Sequence, residues 1–299
     1  MSVLRPSGSL AGRFMFQLSR RGTALFPLAF AQAIAVPPSD VVHALWSSKR
    51  DVAAGNFAQV TGLAPDDPRV RRLARDCFRH FGLYVAEMTH LQGWDGEDVR
   101  DRVDVEGEEN FAVAEALGRG IIFVSGHMGS TEIAASLAVL RGYRITAVTE
   151  EIPVRWMMDW IVRTRDVMGI TLKTPDGAGI GLIRTLRRGG MVAMVVDAGI
   201  DRGGSVPVQF FDRETLFPDG PARLARLTGA PLLFGLAVRR PGGRFKAFVC
   251  PPLVPGRDAS AEDEVVRLTQ DLAKTFEGFV RRYPSQWYAF RPIWPDAQP

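Results

Sequence analysis

The feature that most constrains the fold is a short apolar run, Ile121-Ile122-Phe123-Val124, which has Gly120 before it and Gly126 shortly after it. Its residues are β-branched or aromatic, and a run of this length between glycines is typical of a strand that is buried on both faces. Such strands belong to parallel sheets whose two faces are covered by helices. The run therefore predicts a central parallel strand.

A histidine and an acid follow this strand. His127 lies just beyond its carboxyl end, where ligands bind in open α/β sheets, and Glu132 lies in the first turn of the helix that should follow. Gly126 and Gly129 permit a tight turn between strand and helix. A neutral imidazole can take the proton of an attacking hydroxyl group, while a carboxylate on its other nitrogen fixes the tautomer. Alternatively, His127 is a loop histidine bonded to the backbone, and Glu132 is an acid favoured by the helix dipole.

The rest of the chain alternates between strand and helix patterns. Apolar residues at helical spacing predict a long amphipathic helix from Pro68 to His90. Strands are predicted at 145–148, 170–172, 191–196, 232–238 and 245–249, and helices at 107–118, 154–168, 180–186, 220–227 and 262–281. The pattern predicts an α/β fold with a mostly parallel central sheet flanked by helices. We divide the chain into an N-terminal helical segment at residues 1–60 and one α/β domain at residues 61–299.

The N-terminal segment raises the question of membrane contact. Residues 23–36 form the most apolar stretch, but it contains Pro27 and is shorter than the roughly 20 residues that a spanning helix needs. The basic residues that flank it are typical of an element that lies on an anionic membrane surface: Arg13, Arg20, Arg21, Lys49 and Arg50. We expect peripheral binding at the cytoplasmic face of the inner membrane. A buried helical hairpin without lipid contact is the alternative, and a signal peptide is disfavoured because no convincing cleavage site follows.

Composition excludes several functional classes. The net charge of +4 and the pI near 9.4 suit anionic lipids or phosphate-bearing substrates. Nucleic acid is a poorer partner, because zinc-finger spacing, lysine runs and RNA-binding aromatic motifs are missing from the sequence. Cys77 and Cys250 are too few to form a disulfide framework or a metal site, which fits a reducing cytoplasm. The sequence also lacks the nucleophile elbow, the phosphate loop and the zinc-protease motif, which disfavours hydrolases and nucleotidases.

Three blocks resemble a known family. The histidine, four residues, acid motif from His127 to Glu132 is similar to the motif of the glycerolipid acyltransferase superfamily. Residues 208–231 resemble its second block, and Gln286-Trp287-Tyr288 resembles its closing block. The order of the blocks matches the branch that contains the lipid A late acyltransferases and the phosphatidylinositol mannoside acyltransferases.

The resemblance implies an O-acyltransferase without a metal or a cofactor other than its donor substrate. It would move a fatty acyl chain from acyl-CoA or an acylated acyl carrier protein to a hydroxyl of a glycolipid or lipid A-like acceptor. His127 would be the base, and backbone amides near Gly126 to Gly129 would bind the oxyanion. Glu132 is one candidate for the acid that orients His127. Glu214 is the other, because an acid in the second block is implicated beside the histidine in the mannoside branch.

Further residues are predicted to bind substrate. Asp197 follows the strand at 191–196 and should face the same edge as His127; members of the family often carry an aspartate there, and a loop-capping role is the alternative. The family places an arginine near Arg163 and Arg165, where a guanidinium would hold a phosphate in two hydrogen bonds. Arg223 is a similar candidate, unless it pairs with a neighbouring acid.

The acceptor, the acyl length and the choice between the two donors stay open at this point. The closing sequence, residues 286–294, departs from the arginine-rich ending of lipid A enzymes, which favours a glycolipid acceptor slightly. A non-catalytic lipid-binding protein that retains the acyltransferase fold is the alternative function. Consumption of a thioester would distinguish the two.

Overall fold

The computed structural model describes residues 10–11, 13–14, 17–18, 21, 26–149, 154–174, 179–197, 204–256 and 260–294. Arg20 and the start of the predicted apolar stretch, residues 23–25, lie outside these ranges. The helices are α1 (Leu28–Leu45), α2 (Ser47–Thr61), α3 (Pro68–His90), α4 (Gly96–Arg102), α5 (Glu109–Glu115), α6 (Thr131–Leu140), α7 (Arg155–Val167), α8 (Gly179–Arg187), α9 (Gly220–Thr228) and α10 (Ala261–Arg282). The strands are β1 (Val103–Glu106), β2 (Ile121–Ser125), β3 (Ile145–Val148), β4 (Ile170–Lys173), β5 (Met191–Val195), β6 (Ser205–Phe210), β7 (Arg213–Pro218), β8 (Leu232–Arg240) and β9 (Arg244–Val249).

A seven-stranded sheet forms the centre of the fold, with the strand order β1-β9-β8-β2-β5-β3-β4. Neighbouring strands in it are parallel except for the antiparallel pair β8–β9. All five residues of β2 are buried, as expected of a strand with neighbours on both sides and helices on both faces. The predicted α/β architecture with a mostly parallel sheet is confirmed.

The two faces of the sheet are packed by two separate apolar clusters. Ile122 and Val124 of β2 belong to the larger cluster, which includes residues of α2, α3, α9 and α10. Ile121 and Phe123 belong to the other cluster, with residues of α5, α6 and α7. The alternation along β2 follows from the two-residue period of a strand, which sends successive side chains to opposite faces.

The register between β2 and β5 decides what meets at the edge of the sheet. Ser125, the last residue of β2, pairs with Val195, the last residue of β5. His127 and Asp197 each follow two residues after this pair, and parallel strands bring their carboxyl ends to the same edge. The register therefore places the two residues opposite each other.

Several elements were not predicted from the sequence. β1, α4 and the antiparallel hairpin of β6 and β7 are additions to the predicted pattern. The hairpin turns through Phe211 and Asp212, which both have positive φ angles, 54° and 58°. Tight hairpin turns require such angles, but phenylalanine rarely adopts them, so a turn at this position was not expected from the residues.

The N-terminal helix α1 is longer than the predicted apolar stretch, because it continues through Pro37 and Pro38 to Leu45. In the described part of the chain it is the one helix long and apolar enough to cross a membrane by length and composition, with 18 residues and a mean hydropathy of 1.2. A single helix of this kind near an N-terminus is weak evidence for a span. Phe57 of α2 is fully buried against Trp287, so α2 packs on the rest of the described chain. The domain boundary stays a prediction.

Candidate active site

A histidine and a buried aspartate meet at the carboxyl edge of the sheet. Nδ1 of His127 lies 3.0 Å from Oδ1 of Asp197. The backbone N–H of His127 also donates to this carboxylate, at 2.9 and 3.1 Å from its two oxygens. The side chain of His127 is 50% exposed, whereas that of Asp197 is 3% exposed. Solvent and substrate can therefore reach the imidazole but not the acid behind it.

A tryptophan completes the hydrogen bonds of Asp197. Nε1 of Trp287 donates to Oδ2 at 3.0 Å, and the indole is fully buried. Burial opposes ionisation of Asp197, but the charge of protonated His127 and the donors around the carboxylate outweigh it and hold the pKa of Asp197 below its usual value. A carboxylate only accepts hydrogen bonds, so Nδ1 of His127 carries a proton and Nε2 carries the lone pair in the neutral ring.

The loop that carries His127 is held by backbone hydrogen bonds to two neighbouring segments. The N–H of Gly129 donates to the carbonyl of Gln286 at 2.9 Å, and the N–H of Tyr288 donates to the carbonyl of His127 at 2.8 Å. Ser130 donates from its N–H to Ala237 of β8 at 2.8 Å. The closing block and β8 together fix the backbone of the loop.

These bonds bear on the predicted oxyanion site. The N–H groups of His127, Met128 and Gly129 donate to Asp197, to the carbonyl of Gly126 and to the carbonyl of Gln286. Each donor thus has a partner within the protein. Binding of the oxyanion by these amides stays a prediction, and it requires a substrate oxygen to displace an existing partner.

Both loop glycines are required by close packing. A Cβ at Gly126 would overlap the ring of Phe276, and a Cβ at Gly129 would overlap the carbonyl of Ala237. Gly129 also has a φ angle of +62°, which L side chains rarely adopt. The absence of a side chain at Gly126 lets the loop pack against α10, and its absence at Gly129 lets the loop pack against β8.

Glu132 faces away from the imidazole towards α3 and α7. Its Oε1 accepts hydrogen bonds from Nη2 of Arg165 at 3.0 Å and from the hydroxyl of Tyr84 at 3.0 Å. The side chain of Glu132 is 1% exposed, and that of Arg165 is 19% exposed. Burial raises the pKa of Tyr84 to about 12, and the charge of Glu132 adds to the shift. Glu132 and Arg165 form a largely buried ion pair, and the carboxylate that contacts His127 is that of Asp197.

The chain matches a known family over most of its length. The family model "Bacterial lipid A biosynthesis acyltransferase" matches residues 11–295, which include both partners of the histidine–aspartate pair and the closing block that supports it. The chain belongs to this family.

Individual relatives are acyltransferases of two kinds. The chain is 28% identical over 243 residues to the phosphatidylinositol mannoside acyltransferase of Mycolicibacterium smegmatis, covering 80% of this chain and 77% of the relative. It is 26% identical over 249 residues to the enzyme of the same name from Mycobacterium tuberculosis, covering 80% and 75%. It is 26% identical over 191 residues to the lipid A biosynthesis palmitoleoyltransferase of Escherichia coli, covering 61% and 60%. The protein is an acyltransferase of this lipid A and mannoside type.

Glu214, the second acid predicted from the family resemblance, lies on the hairpin. It pairs across the hairpin with Gln209, and its side chain is exposed, whereas the next residue, Thr215, is buried. In the described part of the chain its carboxylate has no ion-pair or hydrogen-bond partner. Catalytic roles for Glu132 and Glu214 stay predictions. The carboxylate that is hydrogen-bonded to the ring of His127 is that of Asp197.

The arginines predicted to bind phosphate are separated in the structure. Arg163 and Arg165 are two positions apart on α7, which places them on different helix faces. Nε of Arg163 is buried and has no hydrogen-bond partner among the described residues. Arg223 pairs with Asp219 at 2.6 Å and with Glu262 at 3.1 Å. Arg223 is therefore paired with neighbouring acids, which is the alternative to a phosphate-binding role.

Sequence reasoning missed a buried group behind the loop. Nε of Arg239 lies 2.5 Å from Oε1 of Glu87, and both side chains are at most 5% exposed. Nη2 of Arg239 donates to the carbonyl of Gly129 at 3.0 Å, and the hydroxyl of Tyr288 donates to the same carbonyl. Burial and the charge of Arg239 lower the pKa of nearby His80 to about 4. The one signal in the sequence was an arginine that directly follows the apolar run 232–238.

Proposed function

We propose that this protein transfers a fatty acyl chain from a thioester, carried by coenzyme A or acyl carrier protein, to a hydroxyl group of a lipid acceptor at a membrane surface. The observation that carries the proposal is the pair formed by half-exposed His127 and buried Asp197. A hydroxyl is a poor nucleophile at neutral pH, and a positioned imidazole increases its reactivity by accepting its proton as the new bond forms.

The chemistry follows from the tautomer. Nε2 of His127 accepts the hydroxyl proton while the acceptor oxygen bonds to the thioester carbonyl carbon. The tetrahedral intermediate then collapses, the carbon–sulfur bond breaks, and the imidazolium returns its proton to the leaving thiolate. An ester and a free thiol are the products, so the protein ends in its starting state. Asp197 lowers the free energy of the imidazolium, which exists between the two proton transfers.

A glycolipid is the acceptor that we favour. The matches to the two mycobacterial mannoside acyltransferases cover 80% of this chain, against 61% for the lipid A enzyme. The closing sequence, residues 286–294, also lacks the arginine-rich pattern of lipid A enzymes. Both observations favour an acceptor hydroxyl on a sugar of a phosphoglycolipid.

Polar contacts of α1 support a peripheral position rather than a span. Asp40 of α1 pairs with Arg75 at 2.8 Å and with Arg79 at 2.7 Å, and Gln32 donates to Glu87 at 2.9 Å. Hydrogen bonds from Arg79 and then from Arg75 lower the pKa of Asp40. These partners lie on α3, a helix with several exposed arginines that would be costly to place in hydrocarbon. We place α1 on the cytoplasmic surface of the inner membrane.

Purified protein tests the reaction directly. Release of free thiol from acyl-CoA, and separately from acylated acyl carrier protein, is measured with a mannosylated phosphoglycolipid, with a lipid A precursor and without acceptor. Thiol release that needs the glycolipid and stops in His127→Ala supports the proposal. Binding of acceptor without thiol release from either donor would make the protein a lipid-binding member of the family instead.

Vesicle sedimentation tests the membrane position. Phe30 and Ile34 of α1 are 47% and 55% exposed, so Phe30→Ser with Ile34→Ser should weaken vesicle binding without disturbing the fold. Leu227→Ser is the matched control, because Leu227 is 64% exposed on α9. Wild-type protein that high salt releases from vesicles is peripheral; protein that only detergent releases would contain a span.

A further inference from the structure

A cavity of about 590 Å³ lies at the end of the sheet formed by β1, β8 and β9. Its charged lining residues come from α4, β1 and the two strands of the β8–β9 hairpin. They are Arg100, Asp104, Arg240, Arg244 and Lys246. We call this space the β8–β9 cavity. It is separate from the histidine–aspartate pair, which follows β2 and β5.

The charges of the cavity are unbalanced. Lys246 approaches Asp104, the acid of the lining, at 4.0 Å, and it pairs with Glu106 at 2.8 Å. Arg100, Arg240 and Arg244 are exposed and form no ion pair within the described part of the chain. Three guanidinium groups around one cavity suit an anion with several acceptor oxygens, because each group presents its donors as a planar fork.

The cavity lies beside the N-terminal half of α1. The turn that joins β8 to β9, Pro241–Gly243, contacts this helix. A methyl group on Gly243 would lie 3.8 Å from Leu28 and 3.9 Å from Gln32. The strands that carry Arg240 and Arg244 therefore lie about one helix diameter, roughly 10–12 Å, from the far side of α1.

That far side of α1 is a stripe of exposed apolar residues. They recur at positions of one helical face: Phe30 (47% exposed), Ile34 (55%), Val41 (56%) and Leu45 (81%). Phe26 (50% exposed) precedes the helix, and its ring stacks on that of Phe30. Gln32 and Ser39, which contact α3, lie on the opposite face. A helix with an apolar stripe on one side and basic groups on the other is the arrangement that binds the interface of an anionic bilayer.

We propose that the β8–β9 cavity binds the phosphate group of an anionic phospholipid while the apolar stripe of α1 lies among the acyl chains. The inference rests on the peripheral membrane position proposed above, and it assigns headgroup recognition to Arg240 and Arg244. A phosphodiester has two unesterified oxygens, which two guanidinium forks can bind together. The cavity thereby adds a specific contact to the general attraction of a basic protein for an anionic surface.

The test compares two double variants that remove the same charge. Arg240→Ser with Arg244→Ser empties the cavity of two guanidinium groups. Arg187→Ser with Arg188→Ser is the control. These exposed arginines stand at the end of α8, just before β5, at the opposite edge of the sheet. Each protein is sedimented with vesicles of phosphatidylcholine alone and of equimolar phosphatidylcholine and phosphatidylglycerol, without donor or acceptor.

The cavity variant should bind the anionic vesicles roughly thirty-fold more weakly than wild type, since each basic residue near the surface adds about fivefold. The control variant should lose much less, and binding to phosphatidylcholine alone should be equal in all three proteins. Arg240→Lys with Arg244→Lys should restore binding only in part, because lysine keeps the charge but loses the fork. Full restoration by lysine would show a diffuse charge effect and would overturn the proposal.

Two other outcomes separate this proposal from the proposed function. If the cavity variant binds vesicles as well as wild type does but has a raised KM for the acyl donor, the cavity binds a phosphate of the donor. That result would refute the lipid site and leave the proposed function standing. Wild-type protein that sediments with neither vesicle would refute the peripheral position itself. Equal melting temperatures of the variants and wild type are the check that folding is intact.

Discussion

Replacing Asp197 with asparagine changes one atom of the buried acid and removes its charge. Oδ1 accepts from the backbone N–H and from Nδ1 of His127, and Oδ2 accepts from Nε1 of Trp287. The asparagine amide has only one acceptor oxygen. If the oxygen keeps its place beside His127, the amide NH₂ faces the indole N–H, and two donors meet in a buried space.

The cost to stability follows from that mismatch. Losing a buried hydrogen bond to a charged acceptor, and leaving the donor of Trp287 unsatisfied, should lower the free energy of unfolding by about 2–3 kcal/mol at neutral pH. The alternative amide orientation restores the indole bond but places NH₂ against the N–H of His127, with a similar cost.

The cost should depend on pH in a defined direction. The pKa of Asp197 is lowered in the folded protein, so the carboxylate stabilises the fold above its ordinary pKa near 4. This contribution is lost as the pH falls through the lower folded-state pKa. The stability difference between wild type and Asp197→Asn should therefore shrink in acid.

The effect on turnover should be larger than the effect on stability. A neutral amide does not stabilise the imidazolium, and loss of the carboxylate behind a catalytic histidine lowers kcat by up to about 10⁴. We expect a fall of ~10²–10⁴ in kcat with little change in donor KM. The double variant His127→Ala with Asp197→Asn should be no slower than His127→Ala alone, because the acid acts through the ring.

Urea unfolding at several pH values and steady-state thiol release measure these effects. Glu214→Gln is the matched control, since it removes the same charge from an exposed acid on the hairpin. Wild-type turnover by a folded Asp197→Asn variant would refute the assignment. A large loss in Glu214→Gln instead would restore Glu214 as the partner of the histidine in catalysis.

Three further predictions concern the same loop and its support. His127→Ala should lower acyl transfer by ~10²–10⁴ while circular dichroism stays unchanged, and normal turnover would exclude general-base catalysis by this residue. Glu132→Gln should cost about 3 kcal/mol in urea unfolding, because it leaves a largely buried guanidinium without its counter-charge; a turnover defect at full stability would contradict this structural role. Gly129→Ala should lower the free energy of unfolding by about 3–5 kcal/mol, because of its positive φ and its overlap with the Ala237 carbonyl. Gly142→Ala is the control, since Gly142 has a φ of +87° but open space around it, and it should cost about 1–2 kcal/mol. Equal costs would show that the overlap at Gly129 relaxes.

Local patterns predicted elements better than connections. The helix Pro68–His90 has the predicted bounds, because its apolar residues recur at helical spacing and Asp67 caps its first turn. The hairpin β6–β7 was missed because its turn contains Phe211 and Asp212 instead of glycine. The buried pair of Glu87 and Arg239 was missed because 152 residues separate its members, and no local rule joins them.

The sequence alone determined the α/β class, the central strand and the position of His127 beyond its carboxyl end, because these depend on periodicity and on residues adjacent in the chain. Only the tertiary structure decided which acid meets the histidine. Glu132, five residues away, turns towards Arg165, while Asp197, seventy residues away, lies opposite His127 because β5 is the neighbour of β2 in a fixed register. Strand order depends on how whole layers pack around the sheet, and that information is spread over the entire chain.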